Sequence, residues 1–355
     1  MIPGIGPRLV RRLVAYTGSI EAVFSSQKKL LEKIPGIGSG KSSGFNVSKL
    51  LKEAENEIEI IDKKGIKALF YLDDDYPSRL RECEDAPVIL YVSGKVDFNA
   101  VKTISIVGTR KATTYGRERT EEIISYLASQ YPELLVISGL AYGIDIAAHK
   151  CALNANLKTV AALGHGFQFI YPSVHRNYAE RIREQGALVT EFTYAQKPDP
   201  GNFVSRNRII AGLADAVTVV ESGERGGALI TADLANSYNR DVFALPGKAS
   251  HTYSKGCNKL IKSNKAALIE CGADIEYAMR WNTSSNKKNI QKSLFIELNA
   301  EEERIMGLFT ENDELAIDEI SNALDFPVSR VSATLLNLEF NGLVQSLPGK
   351  YFRKL

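Results

Sequence analysis

Cysteine is scarce and scattered. Cys83, Cys151, Cys257 and Cys271 form no C-x-x-C pair and have no histidine at metal-ligand spacing. Neither a zinc site nor a disulfide framework is expected from such a set, only ordinary reduced thiols. No run approaches the roughly 18 to 20 uninterrupted apolar residues that span a bilayer, and the N-terminus lacks a signal-peptide pattern. The chain is therefore expected to be cytoplasmic, with no membrane partner. Net charge is small too, +2 over 355 residues, and alone it predicts no class of partner. Disorder is not expected, because 44% hydrophobic and 24% charged residues are ordinary for a soluble globular protein.

The small net charge conceals an uneven distribution. Residues 101 to 120 hold Lys102, Arg110, Lys111, Arg117 and Arg119 against Glu118, a balance of +4. Residues 244 to 265 hold Lys248, Lys255, Lys259, Lys262 and Lys265 with no acid, a balance of +5. Residues 297 to 355 carry eleven acids against Arg304, Arg330, Lys350, Arg353 and Lys354, a balance of −6. A basic middle and an acidic end suggest a polyanion held centrally, with a different task for the end.

The length suits one large core with smaller satellites, and three domains are expected. The stretches "IPGIGPRLVRRL" at 2 to 13 and "IPGIGSGKSSGF" at 34 to 45 repeat one pattern 32 residues apart. Each reads as a hairpin between helices whose exposed amides can hold a phosphate, or as a plain glycine-rich connection. The first copy starts at Met1 with no helix before it, so either the true start lies upstream or that copy is incomplete. The second nearly spells a nucleotide-binding loop with Lys41 and Ser42, but Pro35 replaces its first glycine and the preceding "KKLLEKI" is helical rather than a strand. ATP hydrolysis is not expected there.

A charged amphipathic helix at 48 to 64 leads through "YLDDDYP" and "APVILYVSG" into the main sheet. Short apolar runs then alternate with helical stretches. The expected strands are Thr103 to Val107, Leu134 to Ile137, Thr159 to Leu163, Ala187 to Thr190, Ala216 to Val220, Val242 to Leu245 and Ala267 to Ile269. That alternation predicts βαβ units and an α/β fold with a parallel sheet buried on both faces. The polar stretch "NTSSNKKNIQKS" at 282 to 293 reads as a linker. Three helices near 300 to 310, 315 to 324 and 328 to 341 follow, then a β-wing, which is a winged-helix arrangement.

Glycine-marked turns fall after most of these strands: Gly108-Thr109-Arg110, Gly139 through Gly143, Gly164 to Gly166, Gly226-Gly227 and Pro246-Gly247. In open α/β sheets, ligands bind outside the carboxyl ends of the strands, so these turns mark the working edge. In "SIVGTRKATTYG" the loop amides and the following helix N-terminus favour an anion, and Arg110 supplies a phosphate-matching fork. A dinucleotide site would need G-x-G-x-x-G here and an acid after the second strand, and neither is present.

In "FVSRNRIIAGL", Arg206, Asn207 and Arg208 open a helix, with few acids nearby in sequence to pair with them. Backbone phosphate is their natural target. Phe203 either stacks on a base or packs beneath the loop. Asp145 and His149 share one helix face. They lack a nucleophile and a second acid, so a structural pair or a cap of the loop is expected. His165 reads as a loop residue.

The ordered set "YP" at 76 to 77, "VGTR", "SGLAYGID", "ALGHG", "YP" at 171 to 172, "SRNRIIAGL", "ALITA" and "ALPG" resembles the DNA processing protein A family, DprA or Smf. The resemblance covers nearly the whole chain. It implies a helix-hairpin-helix or SAM-like domain at 1 to 65, an extended Rossmann-like domain at 66 to 281, the linker at 282 to 293, and a winged-helix-like domain at 294 to 355. It also implies a homodimer that binds single-stranded DNA, protects it, and loads the RecA recombinase in natural transformation, with no catalytic activity and no cofactor. Gly108, Thr109, Arg110, Phe203, Arg206, Asn207 and Arg208 match the family's DNA site. On the same edge Lys111, Gly139, Gly143, Gly164, Arg225, Gly226, Gly227 and Lys248 are expected to bind phosphate.

Departures from the family pattern fall near this edge. Arg225-Gly226-Gly227-Ala228 replaces a Ser-Gly-Ser, and "GCNKLIKSNKAA" adds two lysines. The competing enzyme reading is a nucleoside monophosphate phosphoribohydrolase, similar in fold, but "GERGGALITADLA" lacks that group's catalytic glutamate. The winged helix offers only Arg330 on its recognition helix, so protein binding or an effect on the dimer is expected of it rather than duplex reading.

Overall fold

The computed structural model describes residues 4–38, 46–281, 298–309, 314–347 and 350–354. The 282 to 293 linker and residues 39 to 45 of the second hairpin copy, with Lys41 and Ser42, lie outside them. The chain divides into two compact units, Met1–Trp281 and Asn282–Leu355.

The first unit begins with α1 (Pro7–Thr17), α2 (Ile20–Ser25), α3 (Lys28–Leu31) and α4 (Val47–Lys63). Gly6 caps α1 and Pro7 takes its first position, where the missing N–H costs nothing and the fixed φ is already helical. Leu13, Val14, Val23, Leu31, Ile34 and Ile37 form a small core of their own. Arg11 ties α1 to the sheet region by donating to the Cys83 carbonyl at 3.1 Å and lying over the Tyr71 ring.

Nine strands form one sheet: β1 (Lys67–Phe70), β2 (Ile89–Gly94), β3 (Thr103–Val107), β4 (Leu135–Ser138), β5 (Lys158–Ala162), β6 (Ala187–Thr190), β7 (Ala216–Val219), β8 (Asp241–Ala244) and β9 (Ala267–Leu268). Their spatial order is β1-β2-β6-β5-β4-β3-β7-β8-β9. The seven strands β3 to β9 pair in parallel. Two further strands, β1 and β2, extend the β6 edge in antiparallel fashion.

Side chains alternate across this sheet with period two: Leu135 and Ile137 enter one apolar layer and Val136 the other. A short helix, α5 (Ser78–Arg81), lies between β1 and β2 along the chain, and helices α6 (Thr114–Gln130), α7 (Ile144–Asn154) and α8 (Arg176–Gln185) connect β3 through β6 as the chain steps outward. The chain then returns along α9 (Pro200–Leu213) to lay β7 beside β3, and continues through α10 (Gly227–Ser237) and α11 (Lys255–Lys262). The apolar residues of α6 and α7, with Ile275 of α12 (Gly272–Ala278), build one layer, and those of α9, α10 and α11 build the other. The order of strands thus reverses between β3 and β7, the position at which such sheets open a crevice.

Helix α9 positions the site. Asp199 caps it by accepting from Gly201 N at 2.8 Å, and Pro200 follows. Ile209, Ile210 and Leu213 are fully buried against the sheet, each stabilising by about 1.5 to 3 kcal/mol. Ser105 of β3 donates to the Ile210 carbonyl at 2.8 Å. Arg206, Asn207 and Arg208 therefore sit well inside the helix instead of opening it.

The second unit has α13 (Ala300–Leu308), α14 (Ile317–Leu324), α15 (Val328–Phe340) and a three-stranded sheet in the order β10 (Glu314–Ala316), β12 (Tyr351–Lys354), β11 (Val344–Leu347). Ile305, Ile320, Val331, Leu335, Leu338 and Val344 make its core. Arg330 on α15 is paired with Glu301 and lies over the Phe326 ring. This is a winged helix.

Candidate nucleic-acid interface

The loop after β3 is pinned on two sides. Thr109 N donates to the Glu221 carbonyl at 2.8 Å beyond β7, and the Thr109 carbonyl accepts from Ile144 N at 3.2 Å at the start of α7. Gly143 approaches this loop at φ +78°, where a Cβ would strike the carbonyls of Thr109 and Arg110, so only glycine fits. Arg110 is left exposed at the sheet edge, with its guanidinium 5.8 Å from the centroid of Phe203, within cation–π range.

Below it, Arg206 is 3% exposed. Its guanidinium lies against Gly139, in space that a Cβ at that position would occupy. The nearest acid is Asp145, with Nη1 and Oδ2 3.9 Å apart, too long for a hydrogen bond. Arg206 Nε and Nη1 are buried without a hydrogen-bond partner. Burial pushes the Asp145 carboxyl up against the pull of Arg206, and backbone N–H groups of Ala141 and Gly139 bind it. Burial likewise pushes Arg206 down, opposed by Asp145. The result is a fixed cation with unmet donors at the floor of a cleft, an arrangement that favours an incoming anion.

Arg110, Gly139, Tyr142, Tyr171, Phe203 and Arg206 line that cleft. Phe203 is held from behind by Tyr171, centroids 5.3 Å apart and tilted 43°, and by His165 at 6.4 Å. His165 Nε2 accepts from Tyr171 N at 3.3 Å while Nδ1 faces the Gly166 carbonyl at 3.0 Å. Burial pushes its pKa down, and its two ring nitrogens brace the loop through the backbone of Gly166 and Tyr171. Gly164 packs directly beneath Phe203.

Not every expected site residue joins this cleft. Arg208 pairs with Glu191 at the end of β6, and both side chains are largely buried. Its partner comes from a distant element, which the local scarcity of acids could not reveal. Asn207 is half-buried on α9. Gly108 is enclosed by Ile144 and Glu221, while Lys111 is exposed next to Arg110. Arg225, Gly226, Gly227 and Lys248 lie beyond β7 and β8 and do not line the cleft. Asp145 and His149 act separately. His149 Nδ1 lies 2.8 Å from Thr159 Oγ1, whose own proton goes to the Val136 carbonyl.

The N-terminus of α6, expected to favour an external anion, already has one. Glu221 is 4% exposed, and its carboxylate accepts from Thr113 N at 2.9 Å and from Thr113 Oγ1 at 2.6 Å. Sequence reasoning missed this residue because it lies 108 positions from Thr113. It also passed over Tyr142 and Tyr171, although each lies within a motif singled out for other reasons.

Comparison with known proteins covers all of these parts. The family model for DNA recombination-mediator protein A matches residues 67–280, the DprA winged helix domain matches 296–350, and a SAM-like helix-hairpin-helix tandem matches 1–41. Protein Smf of Synechocystis is 32% identical, over 99% of this chain and 96% of its own length. The X-ray structure of DNA processing protein A from Streptococcus pneumoniae superposes with a TM-score of 0.66 at 30% identity, over 77% of this chain and 93% of that one. DNA processing protein A from Helicobacter pylori, whose structure concerns its single-stranded DNA binding mode, gives 0.55 at 26% identity, over 61% and 96%. On its central domain, its winged helix and its full-length relatives, this chain belongs to the DNA recombination-mediator protein A family.

Proposed function

We propose that this protein binds single-stranded DNA at the carboxyl edge of its main sheet, protects it, and passes it to a RecA recombinase during transformation or recombination, working as a homodimer. The observation that carries the reading is the buried Arg206, whose Nε and Nη1 lack a hydrogen-bond acceptor, in one cleft with the exposed Arg110. Guanidinium groups contact phosphates and carry no base code, so binding is independent of sequence. The relative from Helicobacter pylori, described by its single-stranded DNA binding mode, supports the same reading. No catalytic step is part of it. The winged helix is proposed as a protein-binding element, because its Arg330 is engaged by Glu301 and its segment is acidic.

The test is titration of labelled poly-dT and the matching duplex at two salt concentrations. Salt-sensitive preference for the single strand, weakened in Arg110→Ala and Arg206→Ala, is the expected result. Equal or absent binding would overturn it and redirect attention to nucleotide hydrolysis, assayed as base release from AMP. RecA assembly on the bound strand and light scattering test the partner and the dimer.

A further inference from the structure

Helix α9 turns a second face away from the cleft. Phe203 and Arg206 point one way, and helical rotation carries Val204, Ser205 and Arg208 to the other, into a groove of about 460 Å³. The remaining walls come from the start of α1, from Asp85 before β2, and from α10. Pro7, Leu9, Val204, Ile230 and Leu234 make the lining mostly apolar. Val204 is 49% and Ile230 40% exposed, so these aliphatic side chains converge on solvent in a concave surface, the form that ligand sites take.

Three groups give the groove a polarity. Arg208 is 9% exposed and spends Nη2 on Glu191, while its Nη1 is buried with no hydrogen-bond partner among the described residues. Helix α1 begins in the same wall at Gly6, and among the described residues no side chain caps it, so the positive end of its dipole is free to meet an anion. Asp85 accepts from the Tyr238 hydroxyl through Oδ1 at 2.5 Å, which leaves Oδ2 to accept from a ligand.

An anion between Arg208 and α1 would satisfy the buried donor. Apolar walls beside it call for an aliphatic or aromatic group on the same ligand, and Asp85 calls for an N–H. A polypeptide C-terminus carries all three: a carboxylate, a last side chain and backbone amides. A nucleic-acid strand fits poorly, since Asp85, and Glu84 paired with Arg8 at 3.2 Å, oppose a chain of phosphates. We infer that this groove docks the C-terminal end of a partner protein, its terminal carboxylate at Arg208 Nη1 and the start of α1, and its apolar last side chain against Val204 and Ile230. This site is separate from strand binding and does not depend on it, although Val204 follows Phe203 directly and places the partner beside the cleft.

The test is fluorescence anisotropy of the full chain with labelled hexapeptides ending in leucine, isoleucine or phenylalanine, each as free acid and as C-terminal amide, and with a glycine-ended control. The best free acid should bind at least about tenfold more tightly than its amide, the worth of one charge-assisted hydrogen bond. It should exceed the glycine peptide by about tenfold or more through side-chain burial. Ile230→Glu should lose at least about tenfold in peptide affinity while poly-dT affinity stays unchanged. Arg208→Lys, which keeps a cation for Glu191 but lacks Nη1, should bind acid and amide alike. Equal wild-type affinity for acid and amide, indifference to Ile230→Glu, or no peptide binding at millimolar concentration would overturn the inference. So would displacement of the peptide by poly-dT, which would return the groove to the strand, or by octanoate at equal concentration, which would assign it to a free amphiphile.

Discussion

The guanidinium of Arg206 fills the space above Gly139 that a side chain there would take. Gly139 is thus a seat for the cation, and the position tolerates no Cβ without moving it. A Cβ there would also meet Asp145 Oδ2, so the guanidinium and the carboxylate must both give way. Gly139→Ala is expected to leave the fold intact and to weaken single-strand binding at least tenfold, the loss expected for one charge-assisted hydrogen bond. Unchanged affinity with a displaced Arg206 would show that this arginine does not contact the strand.

His149 makes folding sensitive to acid. It is fully buried, and burial, with Arg206 and His175 adding repulsion, pushes its pKa from 6.5 to about 3. The unfolded chain binds a proton below about pH 6.5 that the folded chain refuses until about pH 3. The stability is therefore present in full above 6.5 and is lost progressively as the pH falls toward 3. At pH 5 the loss is about 2 kcal/mol relative to pH 7.5. His149→Gln should flatten this dependence in urea unfolding at the two pH values, and an unaltered slope would assign it to other groups.

Much of the fold was legible because parallel strands buried on both faces are short β-branched runs between helices. Thr103–Val107 and Ala187–Thr190 follow directly from that pattern. The strands Lys67–Phe70 and Ile89–Gly94 did not, since they pair antiparallel at an edge and are partly exposed. The candidate cleft's turns were legible in the sequence, but the partners of its side chains were not. Arg206 and Arg208 are two residues apart, yet one faces the cleft and the other Glu191. Helical rotation separates them, and no local count of acids reveals which carboxylate each will meet.

Glu221 stands where related sheets leave room for a ligand phosphate, at the reversal between β3 and β7. It accepts from the Thr113 amide and hydroxyl and so neutralises the start of α6 from within. Glu221→Ala should destabilise the protein by about 2 kcal/mol in denaturant unfolding, since a buried N–H loses its acceptor. The same change to exposed Glu224 should have little effect. Inorganic phosphate should then stabilise Glu221→Ala and not wild type, and indifference of both would show that the vacated helix end is closed to anions.

On the proposed reading, Arg206 and Arg208 divide function from stability within one turn of α9. Arg208 and Glu191 form an ion pair in which both side chains are at least 86% buried. Burial pushes the Glu191 carboxyl up and Arg208 pulls it down. Removing one member leaves the other charged and desolvated, at a cost of about 3 kcal/mol. Arg208→Ala is expected to lower stability by that amount while leaving the salt slope of single-strand binding unchanged in protein that remains folded. Arg206→Ala should do the reverse on binding, reducing the slope by about 0.7 for one lost phosphate contact on a single strand. Replacing both Arg208 and Glu191 by methionine should recover most of the stability, because an apolar pair of similar volume needs no compensating charge. A fall in the salt slope of Arg208→Ala equal to that of Arg206→Ala would return Arg208 to the DNA site.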